Sequence, residues 1–324
     1  MWAMGVDGGG TRTRCVCIDA NGRWAGMALA GGGNYQEVGL EGVAGLMGGF
    51  RTALGIEPGA EVALCLALAG AGRQDEQAVI AAWARDSGQA VRVRVMSDAE
   101  GALEGAHGGA PGIIAIAGTG SIVLGRAAEL RVRAGGWGPV LGDEGSGYAI
   151  GLSALRAVLR HFDGWGRPTV LGEALQKALG IESWPQLVAA VYSDRRIGRE
   201  EIAALAPAVL AAAAAGDAVA AEILEQAGRD LGGQVAGVAG RLGMRDGAPF
   251  AGCGGLFEAG EALRPGLESA TASLGIRLIW RRPLLPAVLG AALVARRLVV
   301  AEEKLEKALE WGERLEAEEA VDRA

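Results

Sequence analysis

The sequence is poor in the residues that build metal centres: it contains four cysteines and two histidines, with no CxxC pair. A structural zinc site needs a full tetrahedral set of such ligands at close spacing, so the sequence excludes one. Cys15 and Cys17 alternate within an apolar stretch that has the pattern of a strand. We therefore expect both side chains to face one side of a sheet as small core residues. Free buried thiols are typical of a reducing compartment, which predicts a cytoplasmic protein.

Basic charge is also scarce. Lysine and arginine number 31 against 38 aspartate and glutamate residues, which gives a net charge of −7, and the two signs are mixed along the chain. Nucleic acids and anionic membrane surfaces attract a basic face, so we expect neither as a partner. No apolar run free of charges and glycines reaches the length of a membrane span, and the N-terminus MWAMGVDGGG has the pattern of a strand and not of a leader.

Apolar residues and glycine are abundant: 50% of the 324 residues are hydrophobic and 55 are glycine. The hydrophobic share indicates a well-folded globular protein, and the length exceeds the usual size of one core, which predicts two domains. The charged tail over 301–324 has leucines and Trp311 at helical spacing, so we expect a helix packed on the surface. A helix that binds a partner is the alternative for this tail.

The first hundred residues predict the order β-β-β-α-β-α-β-α. A meander of three strands begins it, with Gly8-Gly-Gly10 as the first turn and Asn21-Gly22 as a two-residue hairpin. The predicted strands cover 2–7, 14–19, 23–30, 61–72 with its glycine turn, and 91–96, and the predicted helices cover 35–54, 73–87 and 99–106.

The pattern then begins again. GIIAIAGTGSIVLG (112–125) repeats the strand, glycine turn and strand of the N-terminus, with Thr119 in the place of Thr11. This predicts an internal duplication with one glycine hairpin in each domain. Neither GxxxxGK[ST] nor GxGxxG occurs at the first hairpin, so it must hold phosphate through backbone N–H groups and hydroxyls without a helix dipole. The later predicted elements are helices at 148–162, 169–180, 183–193, 199–215, 217–243, 260–272 and 286–299, a possible strand at 129–134, and strands at 248–260 with its glycine turn and 277–280.

The stretch from Ser97 to Gly147 concentrates the polar chemistry. Asp98 follows the strand-like run VRVRVM, AGTGS (117–121) forms a glycine turn between strands, and GGWG (135–138) precedes the acidic pair Asp143-Glu144. Glycines at strand ends let backbone N–H groups approach a ligand, and hydroxyls and carboxylates add polar contacts. The combination predicts a phosphoryl-transfer site.

These motifs carry a resemblance to a known family. DGGGTRT (7–13), SDAEGAL (97–103), AGTGS, GGWGPVLGDEGSGY (135–148) and AGCGGLF (251–257), with Asn34 and the late PAVLGAALVA (286–295), resemble the N-acetylglucosamine and glucosamine kinases. These kinases belong to the BadF/BadG/BcrA/BcrD group within the actin/hexokinase/Hsp70 ATPase superfamily. The resemblance spans nearly the whole chain in order, and GGWG followed by GDEGSGY is its most specific part.

The resemblance implies an α/β fold of two ribonuclease-H-like domains, of the actin/hexokinase type, around a cleft that closes on the sugar. The first domain would cover 1–108, and the second, with added helices, would cover 109–285. A C-terminal helix over about 286–324 would pack back on the first domain. A homodimer is also implied.

The resemblance further implies a kinase that uses ATP and Mg²⁺ and phosphorylates the 6-hydroxyl of an amino sugar. Asp98 would be the general base and contact the sugar, and Asp7 would orient Mg²⁺ through water. The phosphates would be held by Gly9, Gly10, Thr11, Arg12, Thr13, Gly118, Thr119, Gly120 and Ser121, and the adenosine by Gly254 and Gly255. The sugar would be held by Asn34, Gly136, Trp137, Gly138 and Asp143.

Several of these residues also have an alternative interpretation in which their role is purely structural. Asp98 would alternatively cap the helix predicted at 99–106. Trp137 would be a core aromatic residue. Glu144 would either assist the metal or start the following helix, and any single glycine would serve only a turn.

Two other functions share the phosphate loops. An ATP-driven activator of a radical dehydratase or acyl-CoA reductase would need cysteines for an iron–sulfur cluster between subunits, and the cysteines here lie in strand patterns. A sugar-sensing regulator would need a DNA-binding segment, and the sequence has none. Among kinases, the substrate stays open between N-acetylglucosamine, glucosamine, N-acetylmuramic acid and glucose.

Overall fold

The computed structural model describes residues 1–194, 196–300 and 305–322. Its contacts divide the chain into two compact units: Gly112–Arg281, and a discontinuous unit that joins Met1–Pro111 to the described residues from Arg282 on. Each unit contains one five-stranded sheet. The mixed α/β architecture predicted from the sequence is confirmed.

The N-terminal part of the first unit alternates strands and helices as the apolar pattern predicts. Its elements are β1 (Trp2–Gly8), β2 (Thr13–Ile18), β3 (Trp24–Ala30), α1 (Tyr35–Ala53), β4 (Val62–Leu68), α2 (Gln74–Asp86), β5 (Arg92–Ser97) and α3 (Asp98–His107).

The first sheet has the strand order β3-β2-β1-β4-β5. The β1–β2 and β2–β3 pairs are antiparallel, and β4 lies parallel to both β1 and β5. All seven residues of β4 are buried, because helices cover both faces of a central parallel strand. Cys15 and Cys17 lie in the core on one face of the sheet and Val16 in the core on the other, so the predicted alternation is confirmed.

The second unit has more helices than the first. Its elements are β6 (Gly112–Ala117), β7 (Ser121–Ala127), β8 (Leu130–Gly135), α4 (Gly147–Phe162), α5 (Leu171–Leu179), α6 (Gln186–Val188), α7 (Arg199–Ala203), α8 (Ala206–Ala214), α9 (Ala218–Leu242), β9 (Asp246–Cys253), α10 (Gly255–Glu258), α11 (Arg264–Ser273) and β10 (Arg277–Trp280).

The second sheet repeats the topology of the first. Its order is β10-β9-β6-β7-β8, with β6–β7 and β7–β8 antiparallel and β6–β9 and β9–β10 parallel. In both sheets the first three strands form a meander and the last two join it in parallel. The internal duplication is therefore confirmed at the level of the fold. Helices α4 to α9 are inserted where the first unit has only α1.

Two C-terminal helices complete the first unit. Helix α12 (Ala287–Arg297) packs on β1 and α3. Gly5 of β1 permits this contact, because a Cβ there would lie 2.5 Å from the Cα atom of Ala292. Helix α13 (Leu305–Asp322) packs on β3 and α12 with Trp311 buried, which confirms a surface-packed helix over these residues. The other residues of the predicted tail, 301–304 and 323–324, lie outside the described residues.

The two-residue hairpin predicted at Asn21-Gly22 is wrong. The connection between β2 and β3 has five residues, because the Asp19 carboxylate accepts hydrogen bonds at 2.8 Å from the backbone N–H groups of Asn21 and Arg23. Gly22 takes a φ of 78° inside this wider turn. Hydrogen bonds to the Asp19 side chain thus stabilise a wider turn than the two-residue turn that Asn-Gly favours.

Two predicted helices are each divided. The helix expected over 199–215 becomes α7 and α8, because Pro207 lies in the first turn of a new helix, where its missing N–H costs nothing. The helix expected over 183–193 begins only at Gln186 and continues from Ala189 to Ser193 with π-helical geometry.

No single helix among the described residues is both long and apolar enough to cross a membrane. The consecutive helical segments 199–214 and 218–242, bent by 120°, pass that test only as a pair and only by length and composition.

Candidate active site

The first unit collects acidic residues at one edge of its sheet. Gly8, Leu68 and Ser97 are partners in register at the carboxyl ends of β1, β4 and β5. Asp7 and Asp98 therefore come to the same edge. Their charges interact, since the negative charge of Asp7 raises the pKa of Asp98.

Asp98 is not the cap of its helix. The N-cap of α3 is Ser97, whose hydroxyl accepts a hydrogen bond from the N–H of Glu100 at 3.3 Å, while the Glu100 carboxylate accepts one from the N–H of Ser97 at 2.9 Å. This reciprocal pair is a capping box. One oxygen of Asp98 accepts a hydrogen bond from Ala99 N–H at 2.9 Å. The interpretation of Asp98 as the helix cap is therefore wrong, although its carboxylate does accept a hydrogen bond from the first turn of α3.

Burial sets the electrostatics of both acids. The pKa of Asp98 is raised mainly by burial, and the neighbouring Asp7 raises it further. The pKa of Asp7 is also raised by burial, against the opposing effect of the Arg14 guanidinium, whose Nη2 lies 3.1 Å from the Asp7 carboxylate. A carboxylate with a raised pKa is a better proton acceptor.

The first glycine hairpin, residues 9–12, presents unused donors. It is closed by a hydrogen bond from Gly9 N–H to Arg12 O at 3.0 Å, and Gly10, Thr11 and Arg12 are exposed. The N–H groups of Gly10 and Thr11 and the Thr11 hydroxyl have no hydrogen-bond acceptor within the described part of the chain. Backbone N–H groups left free in a tight loop form a concavity that suits phosphate oxygens.

Thr13 and Asn34 have structural partners of their own. Thr13 is fully buried and donates its hydroxyl to Gly31 O at 2.7 Å, so this hydroxyl joins β2 to the end of β3. Asn34 is the N-cap of α1, where its side chain accepts from Gln36 N–H at 3.2 Å and donates to Glu37 at 2.7 Å. The predicted contacts of both residues with ligands stay predictions.

The second unit brings its own predicted loops together. The hairpin of residues 118–120 is closed by Gly118 N–H bonded to Gly120 O at 2.9 Å, and the side chain of Thr119 is exposed. Gly147 at the start of α4 donates its N–H to Gly118 O at 2.7 Å. The buried hydroxyl of Ser121 donates to Glu144 O at 2.7 Å. The hairpin and the 143–147 segment thus form one structure.

Asp143 lies at the centre of this structure. It is 2% exposed, has a φ of 61°, and forms an ion pair with Arg199 at 2.7 Å. A non-glycine residue with positive φ is uncommon and marks a site that the surroundings hold in place. Gly120 lies against the pair, since a Cβ there would be 2.5 Å from the Arg199 guanidinium and 3.1 Å from the Asp143 carboxylate.

The GGWG segment leads from β8 into an exposed turn. Gly136 donates its N–H to Ser121 O at 3.0 Å, and Gly138 O accepts from Gly142 N–H at 2.8 Å. Trp137 is 61% exposed, with Arg133 stacked over its ring at 4.6 Å. Trp137 as a core aromatic residue is therefore wrong. Its exposed face is free to meet a ligand.

Glu144 does not start the helix that follows it. The N-cap of α4 is Ser146, which accepts a hydrogen bond from Ala149 N–H at 3.1 Å. Glu144 is exposed and accepts a hydrogen bond from the Gln234 amide at 3.2 Å.

The predicted adenosine contacts lie at the edge of the second sheet where the hairpin of residues 118–120 also lies. Cys253 of β9 is the partner of Ile116 in the parallel β6 pairing, so Gly254 and Gly255 follow β9 near the position where Gly118 follows β6. Both strand ends therefore lead into glycine turns at one edge of the second sheet.

The residues around Asp7 fit a magnesium ion that keeps most of its water. Among the described residues, no group of three or more His, Cys, Asp or Glu could hold a metal. Mg²⁺ needs no such cage, because it keeps several waters and takes one or two carboxylates together with substrate phosphates. A single carboxylate beside a hairpin with free N–H groups meets that need.

Sequence reasoning missed three polar partners. Arg14 stands opposite Asp7 in the antiparallel register of β1 and β2, and the strand pattern contained that signal. Arg199 and Gln234 contact Asp143 and Glu144 from helices 56 and 90 residues further along the chain. Nothing in a single sequence indicates those two contacts.

The comparisons with known proteins agree with these motifs. Residues 4–295 match the family model described as the BadF/BadG/BcrA/BcrD ATPase family. The N-acetylmuramic acid/N-acetylglucosamine kinase of Clostridium acetobutylicum is 41% identical over 170 residues, which cover 52% of this chain and 55% of that relative. The N-acetyl-D-glucosamine kinase of Dictyostelium discoideum is 31% identical over 255 residues, covering 74% of this chain and 80% of that relative.

A solved structure from Chromobacterium violaceum, described as a proposed N-acetylglucosamine kinase, has 30% sequence identity and a TM-score of 0.72. The match covers 91% of this chain and 98% of that one.

Proposed function

Because the chain belongs to the BadF/BadG/BcrA/BcrD ATPase family, we propose that it is an ATP-dependent kinase that phosphorylates the 6-hydroxyl of an amino sugar. N-acetylglucosamine or glucosamine is the proposed substrate. Two relatives that align over 74% and 91% of this chain carry N-acetylglucosamine kinase in their names. A kinase for N-acetylmuramic acid or a hexose is the variant of this proposal to be tested beside it.

The observation that carries the proposal is the position of Asp98. It is a largely buried carboxylate directly after a parallel strand, at the same edge of the sheet as Asp7, and the N-cap of the helix that follows is Ser97. Transfer of a phosphoryl group to an alcohol needs such a group to accept the hydroxyl proton.

The proposed reaction uses this chain's groups as follows. Asp98 takes the proton of the sugar 6-hydroxyl as the oxygen forms its bond to the γ-phosphorus, and the bond to the β-phosphate oxygen breaks to release ADP. Free N–H groups and the hydroxyls of Thr11 and Thr119 hold the phosphates. Asp7 would hold magnesium, which neutralises charge on the transferring group.

Asp143 is proposed to orient the sugar rather than to move a proton. Its ion pair with Arg199 already compensates its charge, and Trp137 offers an exposed aromatic face on the same segment. Aromatic faces and fixed polar groups are typical of sugar sites with defined orientation.

The activator function is not supported by the cysteines. Cys15, Cys17 and Cys65 are buried, and burial raises the pKa of the Cys17 thiol to about 12. Only Cys253 is partly exposed, and burial likewise raises its pKa to about 12. Thiols held in the core as neutral groups do not serve as cluster ligands.

A coupled kinase assay over N-acetylglucosamine, glucosamine, N-acetylmuramic acid and glucose tests the proposal. We expect ADP release to depend on an amino sugar, and the product to carry phosphate on the 6-oxygen by NMR. ATP turnover that no sugar stimulates would contradict the proposed function.

A further inference from the structure

The C-terminal helix α13 lies outside the segment that matches the family, which ends at residue 295. It is nevertheless fixed to the first sheet by specific bonds. The buried Trp311 donates its indole N–H to Gly22 O at 3.0 Å. Glu318 accepts from the Trp24 indole at 2.6 Å and from Met27 N–H at 3.1 Å, so its carboxylate caps the open edge of β3.

These contacts set the position of the next residue, Glu319. Its carboxylate lies 3.3 Å from Nη1 of Arg14, while Nη2 of the same guanidinium lies 3.1 Å from Asp7. The three side chains are only 16%, 21% and 15% exposed, in that order. A chain of carboxylate, guanidinium and carboxylate therefore joins α13 to the candidate active site, and solvent screens it little.

The sharing of Arg14 has an electrostatic consequence. One guanidinium charge is divided between two carboxylates, so Arg14 compensates the charge of the Asp7 carboxylate less completely than an exclusive partner would. Arginine suits this arrangement because its planar group offers separate N–H donors to two acceptors at fixed angles. The anchored Glu319 also limits the conformations that the long Arg14 side chain can adopt.

We propose that Glu319 and Arg14 are positioning residues, through which helix α13 holds the Asp7 carboxylate in the orientation and charge that bind the magnesium–nucleotide complex. The inference rests on the proposed function for the identity of the nucleotide. It assigns a role in the site to a helix beyond the family segment.

The test compares Glu319→Gln with Glu316→Gln, an exposed residue of the same helix that undergoes the same change. Binding of Mg²⁺ with a non-hydrolysable ATP analogue is measured by calorimetry, beside kcat and KM for ATP and for sugar. We expect E319Q to raise the dissociation constant and the KM for ATP about three- to tenfold. The KM for sugar stays within about twofold. E316Q should leave every value unchanged, and equal affinities in E319Q and E316Q would overturn the proposal.

A double-mutant cycle with Arg14→Met separates this role from packing. If Glu319 acts through Arg14, adding E319Q to R14M changes nucleotide affinity no further. Additive losses in affinity would overturn the proposal, and R14Q, which also removes the charge, replaces R14M if that variant does not fold. Because the calorimetry needs no sugar, it tests the inference even if no sugar is phosphorylated and the proposed function fails.

Discussion

The two glycine hairpins occupy equivalent places in a duplicated fold, yet their surroundings differ. The hairpin of residues 9–12 lies beside Asp7 and Asp98, two carboxylates whose pKa values are raised by burial. The hairpin of residues 118–120 lies against the ion pair of Asp143 and Arg199. In the first unit Arg14 pairs with Asp7, and Asp98 beside it keeps a raised pKa. In the second unit Arg199 compensates the charge of Asp143. The duplicated fold has a glycine hairpin at equivalent strand ends, with four residues in the first unit and three in the second, and neighbouring side chains give each hairpin its own chemistry.

The substitution with the largest expected effect is Asp98→Asn, which tests whether the acid of the first unit is the general base. We expect turnover to fall about 10²–10⁴-fold, because the amide cannot accept the sugar proton. Affinity for Mg²⁺ with an ATP analogue should persist, since Asp98 is not assigned to the nucleotide. Steady-state kinetics and calorimetry measure the two effects. Near-normal turnover would remove Asp98 from the role of base.

Asp143→Asn tests the role of the acid in the second unit. The change leaves Arg199 without its charged partner and removes a proposed sugar contact, so the KM for sugar should rise about tenfold or more while kcat falls less than in D98N. Because Arg199 is 43% exposed, its stranded charge is partly solvated and the loss of stability should be modest. A fall in kcat as large as that of D98N, at saturating sugar, would make the two carboxylates equivalent and end the distinction.

A matched pair of threonines tests which hydroxyls of the first hairpin meet ligand. Thr13→Val should lower the free energy of unfolding by about 1–3 kcal/mol, because Gly31 O loses its buried donor. Thr11→Val should leave the melting temperature unchanged and weaken ATP binding. Thermal unfolding and calorimetry on both variants give the answer, and a loss of ATP affinity confined to T13V would reverse the assignment.

The smallest expected effect concerns how the thermal stability of wild type and D98N depends on pH. The folded pKa of Asp98 is raised, so its contribution to stability is fully present below the unfolded value, near 3.8, and is lost as pH rises through the folded pKa. D98N should therefore match the wild type near pH 3 and melt at a higher temperature near pH 7. The acid limb of wild-type activity should lie above pH 3.8 for the same reason. A D98N variant that melts lower at neutral pH would contradict burial as the cause.

The strand pattern and the glycine turns were predictable because both depend on local sequence. Apolar alternation places Cys15 and Cys17 on one face of the sheet, and the repeated strand–glycine–strand motif predicts the duplication. The five-residue turn after β2 was missed because the Asp19 side chain competes with the backbone preference of Asn21-Gly22.

The candidate site was predictable in its parts and not in its pairings. Asp7 and Asp143 stand out by their position at glycine turns, and Asp98 by its position directly after an apolar strand. The partners of Asp143 and Glu144 come from distant helices. Burial also cannot be read residue by residue: Thr11 and Thr13 look alike in sequence, and only one is exposed. The roles assigned to these residues stay predictions until the variants are measured.

The contact between Gly5 and helix α12 has a consequence for biosynthesis. The second unit is one continuous segment, so it has all its residues once Arg281 has left the ribosome. The first unit contains β1, but α12, the helix that covers β1, follows the second unit in the chain. Domains generally fold as units during synthesis. The first unit is therefore completed only after the second, once α12 has been made.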